Sequence, residues 1–264
     1  QAEVGDRSPQ VSLPATLEEG LYYESVPLPG TYSVRDREIT VSEAAVRNGT
    51  VFSPFEGESR WSFEEGSGDW VYDQVGSLHG RIHGATWTED GRDGSALEFE
   101  GQASDYVEIP IESLQEFTIS LWAYPTALDV SSETEFRYLI DTRNQSLLIL
   151  EENGRVSFRL PGTDSGRAVG DGVRTDDWNH VAVTFDGTTR TIYLNGERQV
   201  EDDVTINVLD WGGSIRLGNS FGVPPQNGYI GLVDDLRISN RVLSAEEIRA
   251  IPDYTQSMSG THGP

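Results

Sequence analysis

From Arg60 to Ser239, apolar and polar residues repeatedly alternate with a period of two. Trp61 and Phe63 are separated by polar neighbours, as are Leu97 and Phe99, and Tyr106-Val107-Glu108-Ile109 continues the pattern. Phe117, Ile119, Leu121 and Ala123 make one apolar face, and Val181, Val183 and Phe185 make another. Such alternation is the signature of strands with one buried face. Ile192 and Leu194 carry it up to Asn195-Gly196, which, like Asp186-Gly187, suits a tight hairpin turn that needs positive φ. Ser214–Gly218 and Gly231–Ser239 supply late strands. Ser244-Ala-Glu-Glu247 reads as a capping box opening a short helix through Ile248 and Ile251. The expected fold is all-β, an antiparallel sandwich of roughly a dozen strands closed by one short C-terminal helix.

Residues 1–58 fall outside this pattern and hold five of the twelve prolines. Within them 31–41 alternates well enough for a hairpin with Asp36 near its turn. Two or three strands with so few large apolar residues are marginal alone. This N-terminal arm is therefore expected to pack against the sandwich, 59–252, or against another molecule. Residues 253–264 read as a mobile tail.

Charge narrows the partners. The 44 acidic residues face 19 basic ones, all of them arginine, for a net charge of −25, and the pI is about 4.3. One reading is a soluble surface kept apart by self-repulsion. The other, favoured by the absence of lysine, is a hypersaline habitat, where a Debye length of about 3 Å at 1 M salt makes such a charge tolerable. Nucleic acid and anionic membranes both need basic patches and are excluded as partners. With no cysteine there is no disulfide, thiolate metal site or cysteine nucleophile. No apolar run approaches the ~18 residues of a membrane span. No signal-like stretch is present, so the chain is expected to be a processed extracellular protein. Asn48-Gly-Thr and Asn144-Gln-Ser are then glycosylation acceptors.

Five segments in order, RWSFEEGSGDWVYDQVGSLHGRIHGATWTEDGRDGSALEFEG (60–101), FTISLWAYP (117–125), WNHVAVTFDG (178–187), TIYLNGE (191–197) and YIGLVDDLRISNRVLSAEE (229–247), resemble the laminin-G-like, concanavalin A-like jelly roll of prokaryotic cell-surface proteins. The resemblance implies a fold that mostly binds or displays. It also implies a structural Ca²⁺ held by an acidic residue of the last strand, here Asp234, with further ligands from the turn after the first strand, Glu64-Glu65-Gly66-Ser67-Gly68. Strict alternation puts Asp234 on the face of Leu236 and Ile238 and leaves Asp235 on the opposite, solvent side. Asp234 held by backbone or arginine hydrogen bonds without metal is the alternative. His180, at a strand start, matches the family's structural histidine and is expected to be hydrogen-bonded. His79 and His83 flank glycines, which argues against a helical zinc pair.

Catalysis is disfavoured. Laminarinase-like relatives carry two Glu flanking an Asp on one strand, and no such run is present; Glu98 and Glu100 share a face but lack the central Asp. A sugar site needs loop aromatics to stack on rings. Trp70, Tyr72, Trp211, Phe221 and Tyr229 lie in or beside expected loops, and Trp211 with Phe221 is the favoured platform. The leading expectation is a non-catalytic extracellular recognition or adhesion module of a halophilic, archaeal-looking microbe, binding carbohydrate or another surface ligand. The alternative is a structural subunit of a filament, pilus or virion that self-assembles through residues 1–40 by adding a strand to a neighbour's sheet.

Overall fold

The structure, a computed structural model, describes residues 30–34, 37–41, 57–128, 136–143, 145–151, 154–160, 167–205, 210–222 and 227–251. The chain divides into two compact units, Gln1–Ser53 and Pro54–Pro264. In the first, β1 (Gly30–Val34) and β2 (Arg37–Val41) pair antiparallel with Val34 opposite Arg37. The expected hairpin is formed; Asp36 lies outside the described residues.

The second unit is a sandwich of two antiparallel sheets. The first sheet contains β4 (Trp70–Val71), β5 (Gly80–His83), β8 (Tyr106–Pro110), β10 (Phe136–Thr142), β11 (Gln145–Glu151), β12 (Arg155–Arg159), β13 (Arg167–Gly172) and β17 (Ser214–Leu217), in the order β13-β12-β11-β10-β17-β8-β5-β4. The second contains β3 (Glu58–Trp61), β6 (Thr86–Thr88), β7 (Ala96–Glu100), β9 (Phe117–Pro125), β14 (Asn179–Phe185), β15 (Thr189–Leu194), β16 (Glu197–Asp203) and β18 (Ile230–Ser239). Its order is β16-β15-β14-β9-β18-β7-β6, with β3 also paired to β18. A short helix, α1 (Ala245–Ala250), follows. The architecture is the expected jelly-roll sandwich, with more strands than the roughly twelve expected, because turns such as 72–79 carry short extra strands on either side.

The core lies between the sheets and is built by the alternating positions. Phe117, Ile119, Leu121 and Ala123 from one strand and Val181, Val183 and Phe185 from its neighbour are all buried. Each fully buried side chain of this size contributes about 1.5–3 kcal/mol. The Asn195-Gly196 turn joins β15 to β16 with φ of 52° and 80°, as that dipeptide requires. The capping box of α1 is formed: the Glu247 N–H donates to Ser244 Oγ, and the Ser244 N–H donates to Glu247 Oε2.

The two outer faces differ. In β8, Val107 and Ile109 point into the core while Tyr106 and Glu108 remain half-buried on the outside. In β9 and β14 nearly every residue is buried on both sides. Their outer face is partly covered by α1, whose Ile248 packs on Ala182 and Tyr193.

Candidate functional site

The open face of the first sheet carries a single transverse row of side chains. Trp70 of β4 is opposite Arg81 of β5, Arg81 opposite Glu108 of β8, Glu108 opposite Arg216 of β17, and Arg216 opposite Asp141 of β10. Directly opposed residues on one face of a sheet sit about 4.5–5.5 Å apart at Cβ. The row is thus aromatic, positive, negative, positive, negative across five strands.

From Glu108 onward the row is interlinked. Glu108 Oε1 accepts from Arg143 Nη2 at 2.7 Å, and Glu108 Oε2 lies 3.4 Å from Arg216 Nη2. The Arg216 guanidinium lies 3.9 Å from the ring centre of Tyr106 and 4.3 Å from that of Phe221, and Arg143 approaches the Phe221 ring at 4.8 Å. His83 stacks on Tyr106 at 4.5 Å. The Phe221 N–H donates to Asp141 Oδ2, which ties the loop after β17 to the row. Burial pushes the Asp141 carboxyl up to about 6, against the N–H donors of Phe221 and Thr142 and the charge of Arg216. Its Oδ1 is buried without a partner among the described residues.

Sequence reasoning named Trp70 and Phe221 among the loop aromatics, and both are partly exposed here. Trp211 is different: it is fully buried and packs edge-on against Phe117 at 5.1 Å. The favoured Trp211–Phe221 platform is therefore corrected. The segment ahead of β17 folds inward, because an indole gains more from the core than from water. Tyr229 is likewise buried, its hydroxyl donating to the Leu232 carbonyl.

The closing strand also departs from strict alternation. The register of β18 against β9 shifts between Asp234 and Arg237, and Asp235 has a φ of 44°. This β-bulge inserts one residue. Val233, Leu236 and Ile238 all enter the core, while Asp234, opposite Trp122, takes the outer face. Asp235 is not solvated either: 7% exposed, it accepts from Arg60 Nε at 2.6 Å and from Arg237 Nη2 at 2.8 Å.

Asp234 is covered by the turn between β6 and β7. Its Oδ2 accepts from the Asp93 N–H, and Arg92 of the same turn lies 4.7 Å from the Trp122 ring. Burial, reinforced by the charges of Asp235 and Glu64, pushes the Asp234 carboxyl up to about 7 against the N–H groups it accepts from. Glu64 accepts from the Ser95 N–H, and its pKa is raised by burial and by Asp93. Gly94 has a φ of 69°, which favours glycine, and a Cβ there would meet Glu64 Oε2, so the glycine lets that carboxylate settle on the turn. Glu65 turns elsewhere, its Oε1 accepting from the Tyr72 N–H while Oε2 is buried without a partner among the described residues. Among the described residues, no three His, Cys, Asp or Glu side chains converge as a metal-binding group. Asp234 and Glu64 nonetheless offer hard oxygens beside a Gly-rich turn, a donor chemistry that fits Ca²⁺.

His180 is buried between strands, tilted against Trp122 at 5.3 Å, and neither ring nitrogen finds a hydrogen-bond partner among the described residues. The expected hydrogen-bonded histidine is corrected: burial drives its pKa down to about 4 and keeps the ring neutral. His79 Nδ1 accepts from the Asp73 N–H. Glu98 and Glu100 are both exposed on β7. Asn48, Asn144 and residues 1–29 of the arm lie outside the described residues.

A family model described as the concanavalin A-like lectin/glucanases superfamily, of laminin-G type, matches residues 100–249. No curated protein is a significant match. Among solved structures, the binding domain of Paraclostridial Mosquitocidal Protein 1 superposes with a TM-score of 0.59 at 16% identity, over 74% of this chain and 51% of that one. The binding domain of botulinum neurotoxin serotype G gives 0.57 at 15% identity, over 78% and 52%. Trypanosoma rangeli sialidase in complex with sialic acid gives 0.58 at 18% identity, over 81% and 35%. The chain thus spans from about a third to half of these neighbours' lengths, and the likeness is one of fold.

Proposed function

The chain belongs to the concanavalin A-like lectin/glucanases superfamily, and from that premise we propose that it is a non-catalytic recognition module that binds saccharide on the open face of its first sheet. One observation carries the reading: the transverse row from Trp70 to Arg216, flanked by Tyr106 and Phe221, is an ordered aromatic and charged surface reached by solvent. Aromatic rings supply a flat apolar surface for the C–H groups of a sugar, and fixed charged groups orient its hydroxyls. That two of the neighbours are binding domains supports the same reading. Absence of catalysis is supported by the missing acidic triplet. It is supported too by Glu108 and Asp141 standing two strands apart, roughly 10 Å along the sheet, with Arg216 between them. A retaining pair needs about 5–5.5 Å.

The setting in this reading is the extracellular space of a halophilic microbe, supported by the lysine-free composition and the net charge of −25. Ca²⁺ belongs to it as a structural ion on the second sheet, with Asp234 and Glu64 as its side-chain ligands. Bound there, the cation would neutralise two carboxylates whose ionised forms burial and mutual repulsion disfavour. A glycan array followed by calorimetry tests the function: wild type should bind a saccharide that Trp70→Ala and Tyr106→Ala lose while melting normally. Binding that survives both variants removes the assignment to this face. Added Ca²⁺ should raise the melting temperature of wild type and not of Asp234→Asn; no response in wild type ends the calcium reading.

A further inference from the structure

Glu108 is the only acidic residue opposite Arg81 in the register, being its Cα partner across β5 and β8. Both oxygens of Glu108 are nevertheless engaged from its other side, Oε1 by Arg143 at 2.7 Å and Oε2 by Arg216 at 3.4 Å. The guanidinium of Arg81 has neither an ion pair nor a hydrogen bond among the described residues. It is exposed, and its guanidinium carbon lies 5.9 Å from the centre of the Trp70 ring. In a chain with 44 acids and 19 arginines, a cation left without an anion on an ordered face is out of keeping with its surroundings.

Three guanidiniums, Arg81, Arg143 and Arg216, share this patch with Glu108, which pairs with Arg143 and Arg216 but not with Arg81, and with Asp69, whose charge reaches His83 at the edge of the patch. Asp141, beyond Arg216, sits 5% exposed beneath the Phe221 loop and presents little charge to an incoming group. The patch therefore has an excess of positive charge just where an aromatic ring can hold a sugar. A neutral oligosaccharide would leave that charge unanswered, whereas an acidic one would answer it. The planar fork of arginine matches a carboxylate bidentately, and such charge-assisted pairs are roughly twice as strong as neutral hydrogen bonds.

Building on the recognition reading above, we infer that the ligand is an anionic saccharide, with Trp70 stacking on a sugar ring and Arg81 pairing with the carboxylate or sulfate carried by that ring. The chain's own net charge repels such a ligand at long range. The contact is best measured near 1 M salt, where the Debye length of about 3 Å removes the distant repulsion and spares a direct ion pair.

Calorimetry at that salt would use three probes: tri-galacturonate, its fully methyl-esterified form, which is the same trimer without charge, and a sulfated galactose trimer. Wild type should bind at least one acidic trimer about ten-fold or more tighter than the ester, a gap of ~1.4 kcal/mol. Arg81→Gln should bring that ratio close to one, and Arg81→Lys should restore part of it. Whichever acidic trimer loses more in Arg81→Gln identifies the anion as carboxylate or sulfate. Arg81 is exposed, so melting temperatures equal to wild type are expected and exclude misfolding as the cause. An ester bound as tightly as both acids, or a ratio that Arg81→Gln leaves unchanged, overturns the anionic assignment alone. Failure of all three probes to bind wild type would overturn it together with saccharide recognition on this face.

Discussion

The two sheets share one core and one fold, yet their strands are composed oppositely. The first sheet's strands carry six arginines (Arg81, Arg137, Arg155, Arg159, Arg167 and Arg216) against four acids, Glu108, Asp141, Glu151 and Asp171. The second sheet's strands carry Arg60, Arg190, Arg198 and Arg237 against nine acids, four of them in β16 alone. The second sheet's outer side is partly covered by α1 and by the turn over Asp234, and there Asp235 pairs with Arg60 and Arg237, while most residues of β16 stay exposed. On its inner face, in line with core-facing Ile192, Arg190 is fully buried and pairs with Asp202 through two bonds of 2.8 and 2.9 Å, while also donating to the Phe158 carbonyl of the opposite sheet. The first sheet's outer side stays open along Trp70, Arg81, Glu108 and Arg216, whereas Asp141, Ile149 and Ser157 on β10 to β12 are covered. A sandwich has two spare faces, and in this molecule one carries the short helix and the turn over Asp234 while the other carries the transverse row.

If that division is right, substitutions should cost stability on the second sheet and little on the first. The largest loss is expected for Asp202→Ala, which strips the carboxylate from a buried guanidinium. Urea unfolding should show a drop of about 3–5 kcal/mol, and a loss under 1 kcal/mol would mean that Arg190 is readily resolvated. Next comes Asp235→Ala, which leaves Arg60 and Arg237 without their shared partner. About 2–3 kcal/mol is expected, more than for Asp234→Ala measured without Ca²⁺ at neutral pH. The reverse order would restore the unbulged register.

Asp141 sharpens the contrast, because it is the one buried ionisable group of the row. Its folded pKa of about 6 stands above the usual 3.8, so burial penalises the charged form. The penalty is absent below pH 4, grows as pH rises towards 6 and is full above it. Asp141→Asn should therefore raise stability at pH 8 by roughly 1–3 kcal/mol and change nothing at pH 4. Equal effects at both pH values would show that the carboxyl is solvated. The smallest effect is expected for Trp70→Ala, half exposed on a short edge strand, at about 0.5–1 kcal/mol or less by thermal melting.

The strands and their inward faces were legible because period-two alternation survives wherever one side is buried, as in Phe117–Ala123 and Val181–Phe185. The capping box and the Asn195-Gly196 turn were legible for the same reason: their chemistry is local. The bulge was not. Nothing in Val233-Asp234-Asp235-Leu236 marks an inserted residue except an aspartate, one of the few non-glycine types that tolerate positive φ. Trp211 misled because a loop position says nothing about which way the loop folds. The transverse row was invisible for a different reason. Each of its strands contributes one outward residue, and β4, β5 and β17 are only two to four residues long. Only the non-local register brings Trp70, Arg81, Glu108, Arg216 and Asp141 into line.

That register also sets an order in time. Glu108 and Arg216 are 108 positions apart, and β17 is the strand that slots between β8 and β10. On a ribosome adding roughly 5–20 residues per second, about 5–20 s separate the emergence of the two halves of the ion pair. Until β17 arrives, β8 and β10 each present an unpaired edge, the kind of template on which nascent chains misassociate. The strand that seals those edges is the one that brings Arg216 between Tyr106 and Phe221. A copy of this chain whose row is complete is therefore one whose synthesis has passed Leu217 and whose first sheet has closed.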